Sequence, residues 1–395
     1  MNMLGTMRAA RRRAVCGSVF KAIALIGAML ATPVVHSQPP SPIVIGQTTA
    51  LSGGASASAR EMTVGASIYF DAVNLKGGVK GRPLKLITLD DGYDPTRAAA
   101  NAATLIEEHK ACALFLTRGT AQTMALLPLL AQHQVPLIAP STGAMSLRKP
   151  VNPYVYNLRS SYQSEAHRAV EQIVGMGITR IGLIYVDDPF GVDAVAGVMD
   201  GLEKTGARAA YIEKFDRKAA SDTLDRIANV ALQANAPAVI VIATNEPTIA
   251  LIRSLRQRGN RGYVVTLSNN ASGSFIEQLG PAGAGVIVAQ VFPGERRTDI
   301  GLVKEATELL RGSKTHREMK VSPSLLEGVA AAKLLVAALQ MTPGASPKQL
   351  TDVLQSGVAF DVGWPGYRVA YTPTDHSGID FVDLSIVSST GGFRR

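Results

Sequence analysis

The sequence predicts an α/β protein made of two doubly wound, Rossmann-like lobes. From Ile43 onward short β-rich runs alternate with helical patterns, which is the rhythm of stacked βαβ units. Runs such as Val239-Ile240-Val241-Ile242 are apolar on both faces, as strands must be when helices cover a parallel sheet on each side. A chain of 395 residues is longer than one such sheet ordinarily organises, hence two lobes.

The elements follow in order. Residues 43–46 read as a buried strand, followed by the loop Leu51-Ser52-Gly53-Gly54. Met62, Ala66, Tyr69 and Val73 then mark one apolar face of a helix that Gly77-Gly78 ends. Residues 84–89 give the next strand, and Asp94-Pro95 supplies an N-cap and a first-turn proline for a helix striped by Ala98, Ala102, Leu105 and Ile106. Strand 113–116, helix 121–131 and strand 135–139 continue the alternation. After Pro150-Val151-Asn152-Pro153 it restarts with helix 165–176, strand 180–186, helix 191–204, strand 209–215, helix 222–234, strand 238–243, helix 247–258 and strand 263–267. Three helices, 300–311, 323–340 and 347–356, then come almost in succession, before a last apolar strand at 379–387.

With 46% hydrophobic and 18% charged residues, the chain is not a disordered tail protein. Two cysteines, Cys16 and Cys112, exclude a disulfide scaffold or a zinc array. The net charge of +9 points less to nucleic acid than to the N-terminus: five of the 40 basic residues and none of the 31 acidic ones lie in residues 1–37, leaving +4 for the rest. Those 37 residues read as a cleaved secretory signal, with Arg8, Arg11, Arg12, Arg13 and Lys21 before an apolar run from 22 to 35, and Val35-His36-Ser37 before the cut. The run is shorter than the roughly 20 residues that span a bilayer, and no later stretch approaches that length. Cys112, in the apolar run 111–116, is expected to be a buried, inert thiol.

The tools of an α/β enzyme are missing. There is no Gly-x-Ser-x-Gly elbow, no Gly-x-Gly-x-x-Gly after a strand and no Walker A loop, since Gly312-Ser313-Lys314-Thr315 lacks the glycine spacing. His109, His133, His167, His316 and His376 stand singly, without metal-ligand spacing. Asp90-Asp91 and Asp187-Asp188 precede helix starts, where aspartate caps. What remains is a set of strand-to-helix loops of small hydroxyl and glycine residues: 52–54, 119–123 and 141–143. Such loops let a carboxylate or amide approach backbone N–H groups beyond the carboxyl ends of the strands.

The order of motifs resembles the branched-chain amino acid (leucine, isoleucine, valine) binding proteins of ABC importers. The matching pieces are Leu51-Ser52-Gly53, Gly65, Asn74 with Gly77-Gly78-Val79-x-Gly81-Arg82-Pro83-Leu84, Asp90-Asp91-Gly92-Tyr93-Asp94-Pro95, Val135-Pro136-Leu137-Ile138-Ala139-Pro140-Ser141, and Tyr185-x-x-Asp188-x-Phe190-Gly191, with Phe381 near the end. The resemblance covers essentially the whole mature chain. It implies a type I periplasmic binding fold with three crossover segments, lobe 1 at 41–158 plus 291–368 and lobe 2 at 159–290 plus 369–395. It also implies a solute trapped by hinge closure, no cofactor or metal, a permease partner in the inner membrane, no nucleic acid, and a periplasmic location.

The resemblance further implies the ligand-binding set. A ligand carboxylate would meet Thr120 and Ala121 at one helix start and Ser141, Thr142 and Gly143 in the next loop. Ser58 falls where relatives often have an aromatic, and Phe190 occupies the second-lobe aromatic position. Thr244 or Asn245 stands where another aromatic is frequent, and Ser268 or Asn269 where amino acid binders place an acid for the ligand ammonium. A neutral residue there provides no charge-assisted bond to an amine. The expected solute is therefore a carboxylate- or amide-containing molecule, an amino acid or related organic acid. The alternatives are a periplasmic sensor that presents solute to a membrane receptor, and an exported α/β enzyme.

Overall fold

Strands β1 (Ile43–Thr49), β2 (Leu84–Asp90), β3 (Ala113–Phe115), β4 (Leu137–Ile138) and β5 (Val155–Tyr156) form an all-parallel sheet in the order β2-β1-β3-β4-β5. Helices α1 (Ser56–Leu75), α2 (Pro95–Glu107) and α3 (Thr120–His133) connect the first four of them. This computed structural model describes residues 40–394, and the leader expected over 1–37, with Cys16 and the cleavage site, lies outside them.

The second half repeats the plan. Helices α4 (Tyr162–Gly175), α5 (Pro189–Thr205), α6 (Ser221–Ala234), α7 (Asn245–Gln257) and α8 (Gly273–Leu279) alternate with β6 (Arg180–Val186), β7 (Arg208–Phe215), β8 (Ala238–Ile242), β9 (Tyr263–Thr266) and β10 (Ile287–Gln290). All five residues of β8 are buried, as the apolar pattern on both faces requires. Later in the chain come α9 (Gly301–Gly312), α10 (Pro323–Met341), α11 (Pro347–Leu354) and the hairpin β11 (Ala359–Asp361) with β12 (Arg368–Ala370). The chain ends with β13 (Asp383–Val387) and β14 (Phe393–Arg394), which extend the second sheet antiparallel, in the order β14-β13-β10-β9-β8-β6-β7.

Capping explains where several helices begin. The Asp94 side chain accepts from Arg97 N before Pro95 opens α2, and the Asp188 side chain accepts from Phe190 N and Gly191 N before Pro189 opens α5. Ser161 and Ser322 do the same for α4 and α10. Helix α10 corrects the expectation that no later stretch approaches a membrane span: it is long and apolar enough by composition, yet 78% of that stretch is buried inside the protein. It packs on α1 at very short range. A Cβ on Gly65 would stand 2.2 Å from the Leu325 carbonyl oxygen, and one on Gly328 2.0 Å from that of Met62.

The chain passes between the sheets three times, after β5, after β10 and before β13. The first and third passages bind each other: Asn157 N donates to His376 O (3.1 Å), Ile379 N to Leu158 O (2.7 Å), and Tyr371 Oη–H to Asn157 O (2.6 Å). This shortens the last strand, expected at 379–387 but found only from Asp383. Ile379 satisfies its backbone on the first passage instead of on the sheet, and Gly378 lies so close to Leu158 that a Cβ would be 2.1 Å from the Leu158 carbonyl oxygen. Trp364 fills the core beside the second and third passages, with ring centroids 6.3 Å from Phe292, 4.3 Å from Tyr367 and 4.7 Å from Phe381. Cys112 is buried, and burial pushes its thiol up to about 12.

Candidate functional site

The carboxyl ends of the two sheets meet through buried polar groups. Beyond β3 the chain turns at Gly119 (φ +102°), which the absence of a side chain permits, and Thr120 opens α3. Thr120 Oγ1 lies 2.8 Å from Thr142 Oγ1, and both residues are buried. Ser141, beyond β4, bonds through its N–H to Thr117 O (2.8 Å). Arg118 Nη1 donates to Ser141 Oγ (3.0 Å), while Arg118 Nη2 reaches across to Asn269 O (2.9 Å) in the turn after β9. On that side Asn269 Nδ2 donates to Ala243 O (2.8 Å) and Asn245 Nδ2 to Asn270 Oδ1 (3.0 Å). Thr49 Oγ1, Thr117 Oγ1, Arg118 Nε, Asn245 Oδ1 and Asn269 Oδ1 are buried without a hydrogen-bond partner among the described residues. Buried polar atoms in such a state are costly in a site that stays empty.

A charged cluster adjoins this region. Arg159, on the first passage, pairs with Glu165 Oε1 of α4 (2.9 Å) and Glu327 Oε2 of α10 (3.5 Å), and also donates to Ser268 Oγ. Glu165 Oε2 accepts from Ser268 N (2.8 Å). Burial opposes the charge on Arg159, but Glu327 and Glu165 outweigh it and hold the guanidinium protonated well beyond its ordinary range. Glu61 of α1 joins the halves elsewhere: its carboxylate accepts from Gly273 N (3.1 Å) and Ser274 N (2.9 Å) at the start of α8 and from Ser322 Oγ. Arg217 lies over the Tyr93 ring at 4.7 Å.

The sequence-derived site residues fall as follows. Thr120 and Thr142 are bonded to each other, Ser141 and Asn269 are bridged by Arg118, Asn245 is tied to the Asn269 turn through Asn270, and Ser268 belongs to the Arg159 cluster. Ala121 is the second residue of α3. Gly143 packs on the first passage, its carbonyl accepting from Tyr162 N (2.9 Å). Ser58 is buried in the first turn of α1, its hydroxyl facing Ala55 O. Phe190 packs edge-on against Tyr162 (4.7 Å) within the core, and Thr244 is the N-cap of α7 without a side-chain cap bond. Sequence reasoning missed Arg118, Arg159, Glu165, Glu327 and Asn270. For Arg118 a signal existed, a charged residue directly before Gly119-Thr120 at the end of a strand with no polar residue of its own.

The aspartate pairs serve structure. Asp90 accepts from Leu51 N, Ser52 N, Ser52 Oγ and Gly92 N, Asp91 from Thr48 Oγ1 and Tyr93 N, Asp187 pairs with Lys214 (2.8 Å), and Asp188 pairs with Arg217 besides capping α5.

Two Rossmann-like lobes on mainly parallel sheets, three passages between them and a polar strand-end region in the middle define the type I periplasmic binding fold. A family model described as periplasmic binding protein matches residues 42–390, and the chain belongs to that family. Among solved structures it is similar to a possible leucine/isoleucine/valine-binding protein from Rhodopirellula baltica (28% identity, TM-score 0.83, covering 92% of this chain and 98% of that one). It is also similar to a substrate-binding periplasmic protein from Ralstonia solanacearum (28% identity, TM-score 0.82, 89% and 99%). Part of it matches Glutamate receptor 2.1 of Arabidopsis thaliana, 25% identical over 142 residues, or 35% of this chain; the match spans 16% of that curated relative's length. Fold and family are those of binding proteins.

Proposed function

We propose that this protein is an extracytoplasmic, periplasmic solute-binding protein. It captures a small carboxylate- or amide-containing solute, an amino acid or related organic acid, as lobe 1 (41–158 with 291–368) and lobe 2 (159–290 with 369–395) close on it. It then delivers the solute to the permease of an ABC importer. The observation that carries this reading is the buried run Thr142–Thr120, Ser141–Arg118–Asn269, which joins the strand ends of the two sheets and includes atoms lacking a partner among the described residues. The likeness to a possible leucine/isoleucine/valine-binding protein supports the solute class.

Calorimetric titration of purified, ligand-stripped protein with amino acids and carboxylic acids tests it, and no binding by any of them would count against capture. Thr120→Ala is expected to weaken a carboxylate solute by about 1.5–3 kcal/mol, the range of a hydrogen bond to a charged group. Unchanged affinity would remove Thr120 from the site. The partial match to a receptor favours a second reading, in which the closed protein presents solute to a membrane receptor. Affinity capture of the membrane partner separates the two: a permease supports delivery, a receptor or regulator supports sensing.

A further inference from the structure

Arg118 is 3% exposed and makes no ion pair among the described residues. Its two Nη atoms donate to Ser141 and Asn269, and Nε has no partner. Arg159 differs: it has two carboxylates beside it. Arg148, also buried, donates to the Arg159 and Ser160 carbonyls of the first passage. A buried cation with no counter-charge is costly, and the cost falls when an anion arrives that can accept from the guanidinium edge. Next to Arg118 stand Thr117, whose buried hydroxyl also lacks a partner, and Thr120, bonded to Thr142. All of these groups can donate to a carboxylate.

We propose that Arg118 selects a net-anionic carboxylate solute, supplying the counter-charge beside the Thr120–Thr142 hydroxyl pair. This rests on the solute-capture reading and narrows it, since a zwitterionic amino acid or a neutral amide brings no net charge to balance the guanidinium. Asn269, bonded to Arg118 through its carbonyl, carries no charge to hold an ammonium group; its Oδ1 accepts only from an N–H or O–H of the solute.

The test uses four probes on ligand-stripped protein: 4-methylpentanoate, its amide 4-methylpentanamide, leucine and glutarate. In calorimetry 4-methylpentanoate should bind, exceeding its amide by about 10- to 100-fold, the span of a hydrogen bond to a charged group, and glutarate should bind more tightly than leucine. R118Q should abolish that gap and R118K should keep part of it, with thermal melts of the unliganded variants confirming that each folds. If R118Q does not fold, R118K and the wild-type gap decide. An unchanged gap in R118Q, or leucine binding more tightly than both anions, overturns the role of Arg118 and leaves solute capture standing. Failure of both anions to bind the wild type overturns the role of Arg118, and solute capture falls only if the wider panel of amino acids and carboxylic acids fails as well.

Discussion

Asp91 is fully buried at the end of β2, where it accepts from Thr48 Oγ1 (3.1 Å) and Tyr93 N (2.8 Å). Burial pushes its carboxyl up to about 6, and the neighbouring Asp90 adds to the rise. An aspartate in the unfolded chain titrates at about 4. Between those two values the folded state holds more protons than the unfolded one, so this group's contribution to stability falls as pH rises through the window and stays low above it. D91N retains an acceptor for Tyr93 N and places a donor toward Thr48 Oγ1, without the charge. It should therefore be more stable than wild type at pH 7.5 and lose that advantage by pH 4; paired urea melts check this, and an equal difference at both pH values would rule it out. At this scale the sequence was only partly legible. The aspartates could be read as caps because capping is local, with Asp94 and Asp188 each bonding N–H groups two or three residues on. The Arg159–Glu165–Glu327 cluster could not, because Glu327 reaches Arg159 from a helix far along the chain and no local spacing links them.

Among the elements, the alternation of strands and helices was readable because buried parallel strands and amphipathic helices carry different periods. What escaped were short pieces fixed by tertiary contacts: β5, α8, the β11–β12 hairpin, β14, and the start of β13, displaced by the bond of Ile379 to the first passage. The α1–α10 pair gives a prediction of opposite sign to the usual helix rule. Alanine for glycine in a helix interior ordinarily stabilises by about 0.5–1 kcal/mol. At Gly65 the added methyl meets the Leu325 carbonyl oxygen at 2.2 Å, so G65A should instead destabilise by about 1–3 kcal/mol through overpacking. A lowered urea midpoint with an unchanged slope is the expected result, and a raised midpoint would show that the helices separate at little cost.

Across the whole molecule, Trp364 is the single tryptophan of the sequence and touches Phe292 and Phe381 beside two of the three passages. The proposed closure of the lobes on a solute would alter the surroundings of that cluster, so titration with a bound solute should change tryptophan emission in wild type, and W364F should give no such signal. A solute that binds by calorimetry without changing emission would place the moving segments elsewhere. The α1–α10 contact also bears on how the chain acquires its structure as it is made. The five strands of the first sheet end at Tyr156, and the second sheet gains β6 through β10 by Gln290, yet α10, which covers α1, begins only at Pro323. Contacts so distant in sequence form slowly. An N-terminal part emerging first has its strands but not its cover, and the face of α1 that carries Met62 and Gly65 stays bare until the last fifth of the chain arrives. Until α10 arrives, that exposed apolar surface is open to aggregation.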